Sequence, residues 1–412
     1  MATFKPFQAV RPKSEFSHLV ASRPYDVLNS LEAKKEAEGN DISFLRVVKP
    51  EIDLPVGIDP YSDAVYQQGA LKYSELKERK VLIQDSQPCF YIYRLTMKGR
   101  MQTGITGCCS FEEYYDGKIK KHELTRTVKE NDRVNHVETM NANAEPVFFS
   151  YRNNPEISNL IELITQDKSE YDFVSDDDVR HELWIVKDLI NISLIESLFR
   201  EVPALYVADG HHRTAAAARV GKERKENNIN HHGSEEYNYF LAVLFSDKEL
   251  EILDYNRVVR DLNGHTPEEF LEALSENFLI EQVPDRYKPK KKGEFGLFVD
   301  AKWFRLQAIS KISSESVVEN LDVSYLSDHV LEPVLGITDL RKDERIDFVG
   351  GIRGLKELEM RVDSGEMAAA FSLFPVSMSE LLSIADDGQI MPPKTTWFEP
   401  KLRSGLFIHE LV

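Results

Sequence analysis

The stretch "ALYVADGHHRTAAAARVGKER", residues 204–224, constrains the fold more than any other part of the chain. "ALYVA" is an apolar run suited to a buried strand, and "TAAAARVGKER" has high helix propensity. Only Asp209 to Arg213 separate them, so a strand must turn almost directly into a helix. Such a turn aims free backbone N–H groups at one point, and the helix dipole makes that point attractive to an anion. Gly210 permits positive φ or a close backbone approach. Arg213 carries a fork of donors matched to phosphate oxygens. His211 and His212 add donors, and Asp209 is placed to orient them or to hold magnesium. The competing reading is a plain helix start with partly exposed histidines and an ion-paired Arg213. A metal centre on the histidines is weaker, because adjacent histidines point in different directions and no third ligand is fixed by spacing.

A chain of 412 residues is long enough for two or three domains. Its formal charge of −18 argues against general polyanion binding, which needs Lys and Arg to neutralise phosphates, and against a membrane-surface role. No apolar run approaches the roughly 20 residues that span a bilayer. The start, "MATFKPFQAVRPKSEF", has no signal-peptide core. Cys89, Cys108 and Cys109 fit neither a disulfide framework nor a zinc spacing. The expected location is the cytoplasm, with no nucleic-acid or membrane partner.

Along the chain, helix and strand signals mix without repeats, so the expected class is α+β. "SFLRVVKPE" reads as a short strand closed by Pro50, and "CFYIYRLTM" as a strongly alternating strand. "GITGCCSFEEYYDGKIKKHEL" reads as two strands joined by a hairpin turn at Asp116-Gly117. Thr127 and Glu130 have capping-box spacing, as do Thr266 and Glu269, with Pro267 at the first helical position. The expected organisation is a core region over 1–260, a helix and β-meander over 261–315, and a C-terminal α/β segment over 316–412 that packs back on the core.

A second cluster lies in "KIKKHELTRTVKENDRVNHVE". Lys129, Arg133 and His136 follow at spacings that put them on one helix face, a basic stripe able to complete a positive pocket if the helix start faces Gly210. The bland alternative is a solvated face. Glu123 is a carboxylate able to take a proton from a hydroxyl or to coordinate magnesium. Arg126 stands where a zinc-protease HExxH motif would need its second histidine.

"RPYDV", "HELTRTVKENDR", "LYVADGHHRTAAA" and "MPPKTTWFEPK" resemble, in order and spacing, the signatures of a bacterial and archaeal domain-of-unknown-function family numbered ten-fifteen, from Pro24 to Lys401. Its usual aromatic-acid pair after His-His-Arg is here Thr214-Ala215. The 209–213 turn also resembles the phosphate-binding motif of the ParB and sulfiredoxin superfamily, whose free serine kinases carry Asp-Gly-x-His-Arg. This resemblance implies a ParB/sulfiredoxin-like core in which Gly210, His212 and Arg213 hold nucleotide phosphates and Asp209 assists transfer or metal binding. His211 stands where sulfiredoxin has its catalytic cysteine, so that chemistry is not expected.

The resulting expectation is a phosphotransferase using ATP or ADP with Mg2+ on a small hydroxyl compound such as serine. Glu123, Asp209 and His211 would be catalytic. Gly210, His212, Arg213, Lys129 and Arg133 would bind the cofactor, with Asp209 and Glu123 as metal ligands. The alternatives are a non-catalytic nucleotide or phosphometabolite sensor, and a metal-dependent nucleotide or phosphodiester hydrolase built on His122, His211 and carboxylates.

Overall fold

The computed structural model describes residues 2–310 and 316–412. The protein is a mixed α+β molecule whose chain divides into two compact units, 1–250 with 400–412, and 251–399. No helix among the described residues is long and apolar enough to cross a membrane.

The first unit is built on a nine-stranded sheet. Its strands are β1 (Phe4–Lys5), β2 (Phe90–Met97), β3 (Arg100–Ser110), β4 (Ile119–Lys120), β5 (Val147–Tyr151), β6 (Tyr171–Val174), β7 (Val179–Val186), β8 (Leu205–Asp209) and β9 (Tyr239–Ser246). They lie in the order β4-β8-β5-β9-β3-β2-β7-β6, with β1 alongside β3. Alternate residues of these strands, among them Ile92, Ile105, Phe149, Val207 and Leu244, form one buried face. The helices Pro155–Ile164 and Leu189–Arg200 seal it through Ile157, Leu160, Ile195 and Phe199, spaced as one helix face requires.

Two strand pairings around β8 position the 209–213 turn. Strand β4 runs parallel to β8, with Ile119 opposite Leu205 and Lys120 opposite Tyr206. Strand β5 is antiparallel to β8 on its other side, with a register shift between Val207 and Asp209. The expected hairpin at Asp116-Gly117 is therefore absent. Instead Glu112–Tyr115 forms a helical turn, and β4 finds its partner in β8 rather than in β3. "SFLRVV" also departs from expectation: Leu45–Val48 is a helical turn followed by a 3-10 turn at Pro50–Asp53. Phe44, Leu45, Val47 and Val48 are all buried, so the run lacks the two-sided alternation of a half-buried strand.

The second unit carries a six-stranded sheet. Its strands are β10 (Tyr255–Val259), β11 (Phe278–Val283), β12 (Glu294–Val299), β13 (Lys302–Ala308), β14 (Ile346–Gly350) and β15 (Ala369–Leu373), in the order β11-β13-β12-β15-β10-β14. The division falls at Glu251 rather than near 260, because β10 pairs with β14 and β15. A break near 315 falls on residues outside those described, and β12 on one side of it pairs with β15 on the other. Of the C-terminal segment only 400–412 belongs to the first unit. There Gln102 donates to the Pro400 carbonyl at 3.2 Å and Val10 exchanges backbone bonds with Ile408. Thr266 and Glu269 form the expected capping box of the helix Pro267–Leu274.

Two helices frame the turn after β8: α1 (Thr127–Met140) and α2 (His211–Asn227). They meet through Val134, Val137, Ala216 and Val220. The alanines at 215–218 are all buried, which lets α2 lie close to its neighbours. Further along α2, a Cβ on Gly221 would sit 2.6 Å from the Phe111 ring and 2.7 Å from the Tyr237 carbonyl oxygen. Gly221→Ala gains about 1 kcal/mol of helix propensity but must push the helix off Phe111, an overpacking cost of roughly 1–3 kcal/mol. Chemical denaturation of G221A should therefore show a net loss of stability; a net gain would mean that α2 is free to shift.

Candidate functional site

Glu123 and Asp209 stand equally far beyond the parallel pair Lys120–Tyr206, so β4 and β8 deliver the two motifs to the same edge of the sheet. Gly210 adopts the left-handed conformation with φ 86° and ψ 35°, which an L side chain resists, and α2 begins at the next residue. Among the described residues no side chain caps this helix start.

Asp209 is part-exposed, 3.4 Å from Lys401 Nζ and 3.6 Å from Arg213 Nη2 through the same oxygen. Burial opposes its ionisation, but Lys401 and then Arg213 outweigh that and hold the carboxyl well below the usual carboxylate range. Arg213 is buried and folded back on the turn: a Cβ on Gly210 would lie 3.1 Å from its Nε and Nη2. Its Nη1 donates to the Pro146 carbonyl at 2.7 Å, while its Nε has no hydrogen-bond partner among the described residues. Despite burial, which lowers it, the Arg213 pKa is raised, chiefly by Asp26 and Glu145.

His211 is buried, with Nδ1 3.7 Å from Glu123 Oε2 and Nε2 without a hydrogen-bond partner among the described residues. The His122 ring meets it edge-on at 4.5 Å. Burial pushes His211 down to about 4, and burial with the neighbouring His211 pushes His122 down to about 3, so both are neutral at pH 7. His212 joins the motifs in another way, its Nε2 accepting the backbone N–H of Arg126 at 3.0 Å. That bond fixes the entry to α1, whose N-cap is Arg126 rather than a serine-like residue; Thr125 Oγ1, not Thr127, donates to Glu130 at 2.9 Å.

Thus Glu123, Asp209, Gly210, His211, His212 and Arg213 come together, whereas Lys129 and Arg133 have other engagements. Lys129 Nζ lies 3.0 Å from the Tyr61 hydroxyl. Arg133 is buried between Asp132 and Glu145, at 2.9 and 3.3 Å, under the Tyr25 ring. It meets Arg213 only across a cavity of about 20 Å³, the space of one water molecule. His136, the third member of the basic stripe, is buried and hydrogen-bonded to the Val47 carbonyl. Arg133 and His136 face the interior because α1 packs on Asp63–Glu78 and its neighbours, whereas Lys129, at the start of the helix, stays half-exposed.

Among the described residues no group of three or more His, Cys, Asp or Glu side chains is arranged to hold a metal ion. Asp209 gives one oxygen to both Lys401 and Arg213, and Glu123 faces His211. The residues do not fit a resident magnesium, nor the His122–His211 metal centre of a hydrolase.

Sequence reasoning missed Lys401, Asp26, Tyr25 and Glu145. The first three stood in motifs already visible, "FEPK" and "RPYDV", but without a stated role. Glu145 accepts from Tyr25 N at 3.2 Å and from Ser404 Oγ at 2.9 Å, and pairs with Arg133. It fastens the "RPYDV" and C-terminal segments to α1.

The fold and site define a mixed α+β protein with a strand–glycine–helix turn faced by a Glu–His pair. The chain belongs to the family described as "Protein of unknown function (DUF1015)", which matches residues 4–324. No curated protein matches it. Similar solved structures include a conserved hypothetical protein from Pyrococcus furiosus, at 15% identity and TM-score 0.36, covering 73% of this chain and 93% of that one. A free serine kinase in complex with AMP matches at 15% identity and TM-score 0.36, over 74% and 93% of the two chains. SbnI with a C-terminal truncation, from Staphylococcus aureus, matches at 9% identity and TM-score 0.37, over 71% and 82%. At these TM-scores the likenesses carry no argument about this chain's chemistry.

The neutral histidines give a pH test. With folded pKa values of about 3 for His122 and about 4 for His211, below an unfolded value near 6.5, the unfolded chain binds more protons as pH falls. Stability should be full above pH ~6.5 and fall between there and pH ~4, by on the order of 1–2 kcal/mol per histidine at pH 5. Urea unfolding at pH 7 and 5 reads it, and His211→Gln should shrink the difference. An unchanged pH dependence in H211Q would contradict a neutral buried His211.

Proposed function

We propose that this protein transfers a phosphoryl group from ATP or ADP to a small hydroxyl compound, with serine as the first acceptor to try, at the turn following β8. The observation that carries the reading is the meeting of Glu123 with His211 at the uncapped start of α2. An uncapped helix start offers backbone N–H groups to an oxyanion, and Lys401 beside Asp209 supplies a positive charge next to it. The resemblance of this turn to the ParB and sulfiredoxin superfamily agrees with that use.

In the proposed step the acceptor oxygen attacks the terminal phosphorus of the nucleotide. The bond from that phosphorus to the leaving nucleotide oxygen breaks, and the hydroxyl proton passes to the enzyme. Glu123, the accessible member of the pair, is the base, and a neutral His211 whose Nδ1–H turns to it orients the carboxylate. Gly210, His211 and His212 amides hold the phosphate, and Lys401 neutralises it as charge develops on the leaving oxygen. Asp209 orients Lys401 and Arg213. Arg213, committed to Pro146 and Asp209, supports the turn from behind and is a positioning residue. Any magnesium would arrive with the nucleotide phosphates as part of the substrate.

The sensor reading has one observation in its favour: the guanidinium of Arg213 sits against Gly210, which narrows the turn. Phosphate transfer from labelled ATP or ADP to serine separates the two. The kinase reading predicts labelled phosphoserine, a fall of about 10²–10⁴ in kcat for Glu123→Gln, and both weaker nucleotide binding and a lower kcat for Lys401→Met. Saturable nucleotide binding without transfer to any hydroxy compound tested would leave the sensor.

A further inference from the structure

Arg257 differs from the other buried arginines of this protein. Arg11 pairs with Asp85, Arg133 with Asp132 and Glu145, Arg213 with Asp209, and Arg403 with Asp177. Arg257 sits in the middle of β10 with 1% of its surface exposed. Among the described residues no carboxylate pairs with it. Its guanidinium donates to the carbonyl oxygens of Tyr255 and, at 3.4 Å, of Pro393, and lies 5.1 Å over the Phe348 ring. Burial pushes its pKa down to about 10, so it still carries a proton at neutral pH. A buried cation without a counter-charge is costly, and folded proteins place an anion beside such a group.

The surroundings suit an anion. Lys394 is exposed, holds a left-handed φ of 59°, and places its ammonium 5.9 Å over the ring of Tyr255, the residue whose carbonyl Arg257 binds. Trp397 packs edge-on against the same ring at 5.1 Å. It also fills the space over Gly350, where a Cβ would meet its ring at 2.8 Å. Thr395 Oγ1 donates to the Pro392 carbonyl at 2.6 Å, closing the turn that lays Pro393 over Arg257. The 3.4 Å contact to Pro393 is a marginal hydrogen bond, readily exchanged for a better acceptor.

We propose that Arg257 and Lys394 form an anion site within the second unit, which takes a small oxyanion in place of the Pro393 carbonyl. The shared chemistry is two oxygens on one centre, matched to the guanidinium fork, and a carboxylate or a phosphate group can supply it.

Thermal unfolding of the full chain, with succinate in one series and inorganic phosphate in another, tests it. At about ten times the dissociation constant the wild-type midpoint should rise by about 2 °C in at least one series, and the responding series identifies the source. Arg257→Met should melt at or above the wild-type temperature without anion, since it removes an unpaired charge at similar volume, and should lose that rise. Lys394→Ala, on an exposed turn, should fold normally and need several-fold more anion. AMP affinity should be the same in both variants, which separates failure here from failure of the kinase reading. The proposal is overturned if neither anion raises the midpoint, if R257M keeps the full rise, or if R257M melts several degrees lower and K394A binds as wild type. That last pattern marks Arg257 as a core arginine only.

Discussion

The parallel pairing of two short strands underlies the candidate site. Ile119–Lys120 beside Leu205–Tyr206 makes both chains leave the sheet in the same direction. An antiparallel β4 would carry Glu123 toward the opposite edge, away from Asp209. The other contacts of the site depend on that shared exit: the approach of Glu123 to His211, the edge-on contact of His122 with His211, and the bond from the Arg126 amide to His212.

Charge pairing then fixes what each group is free to do. Arg213 is held from several sides, by Pro146 and Asp209 in contact and by Asp26 and Glu145 through the field, so it stiffens the turn. Lys401, arriving with the last segment of the chain, makes Asp209 a permanent anion. The histidines are held uncharged by burial, which leaves His211 a hydrogen-bonding group rather than a cation. In the other unit the same rule exposes an exception, because Arg257 is buried with carbonyls and a ring but, among the described residues, no carboxylate.

Much of the local structure was legible in the sequence. Alternation marked Phe90–Met97, the alanine tract marked α2, and a glycine between strand and helix marked the left-handed residue. The turn at 209–213 and Glu123 could be singled out because their side chains are chemically distinctive. Long-range pairing was not legible. Asp116-Gly117 looks like a hairpin turn, and only the competition among strands for the edge of β8 sends β4 there. Lys129 and Arg133 share a helix face as their spacing requires, but which neighbour that face meets depends on Asp63–Glu78, Tyr25 and Glu145. Lys401 was hidden for the same reason: a lysine near the end of a chain carries no local sign that it will reach a carboxylate at a strand end.

The most direct test of the account is the response of the backbone amides of Gly210, His211 and His212 to AMP, followed by NMR on isotope-labelled full-length protein. An anion seated at the start of α2 predicts saturable shifts of these amides with a single affinity shared by the Lys401 ammonium. AMP that binds while these amides stay unmoved, or that shifts only residues elsewhere, would contradict it.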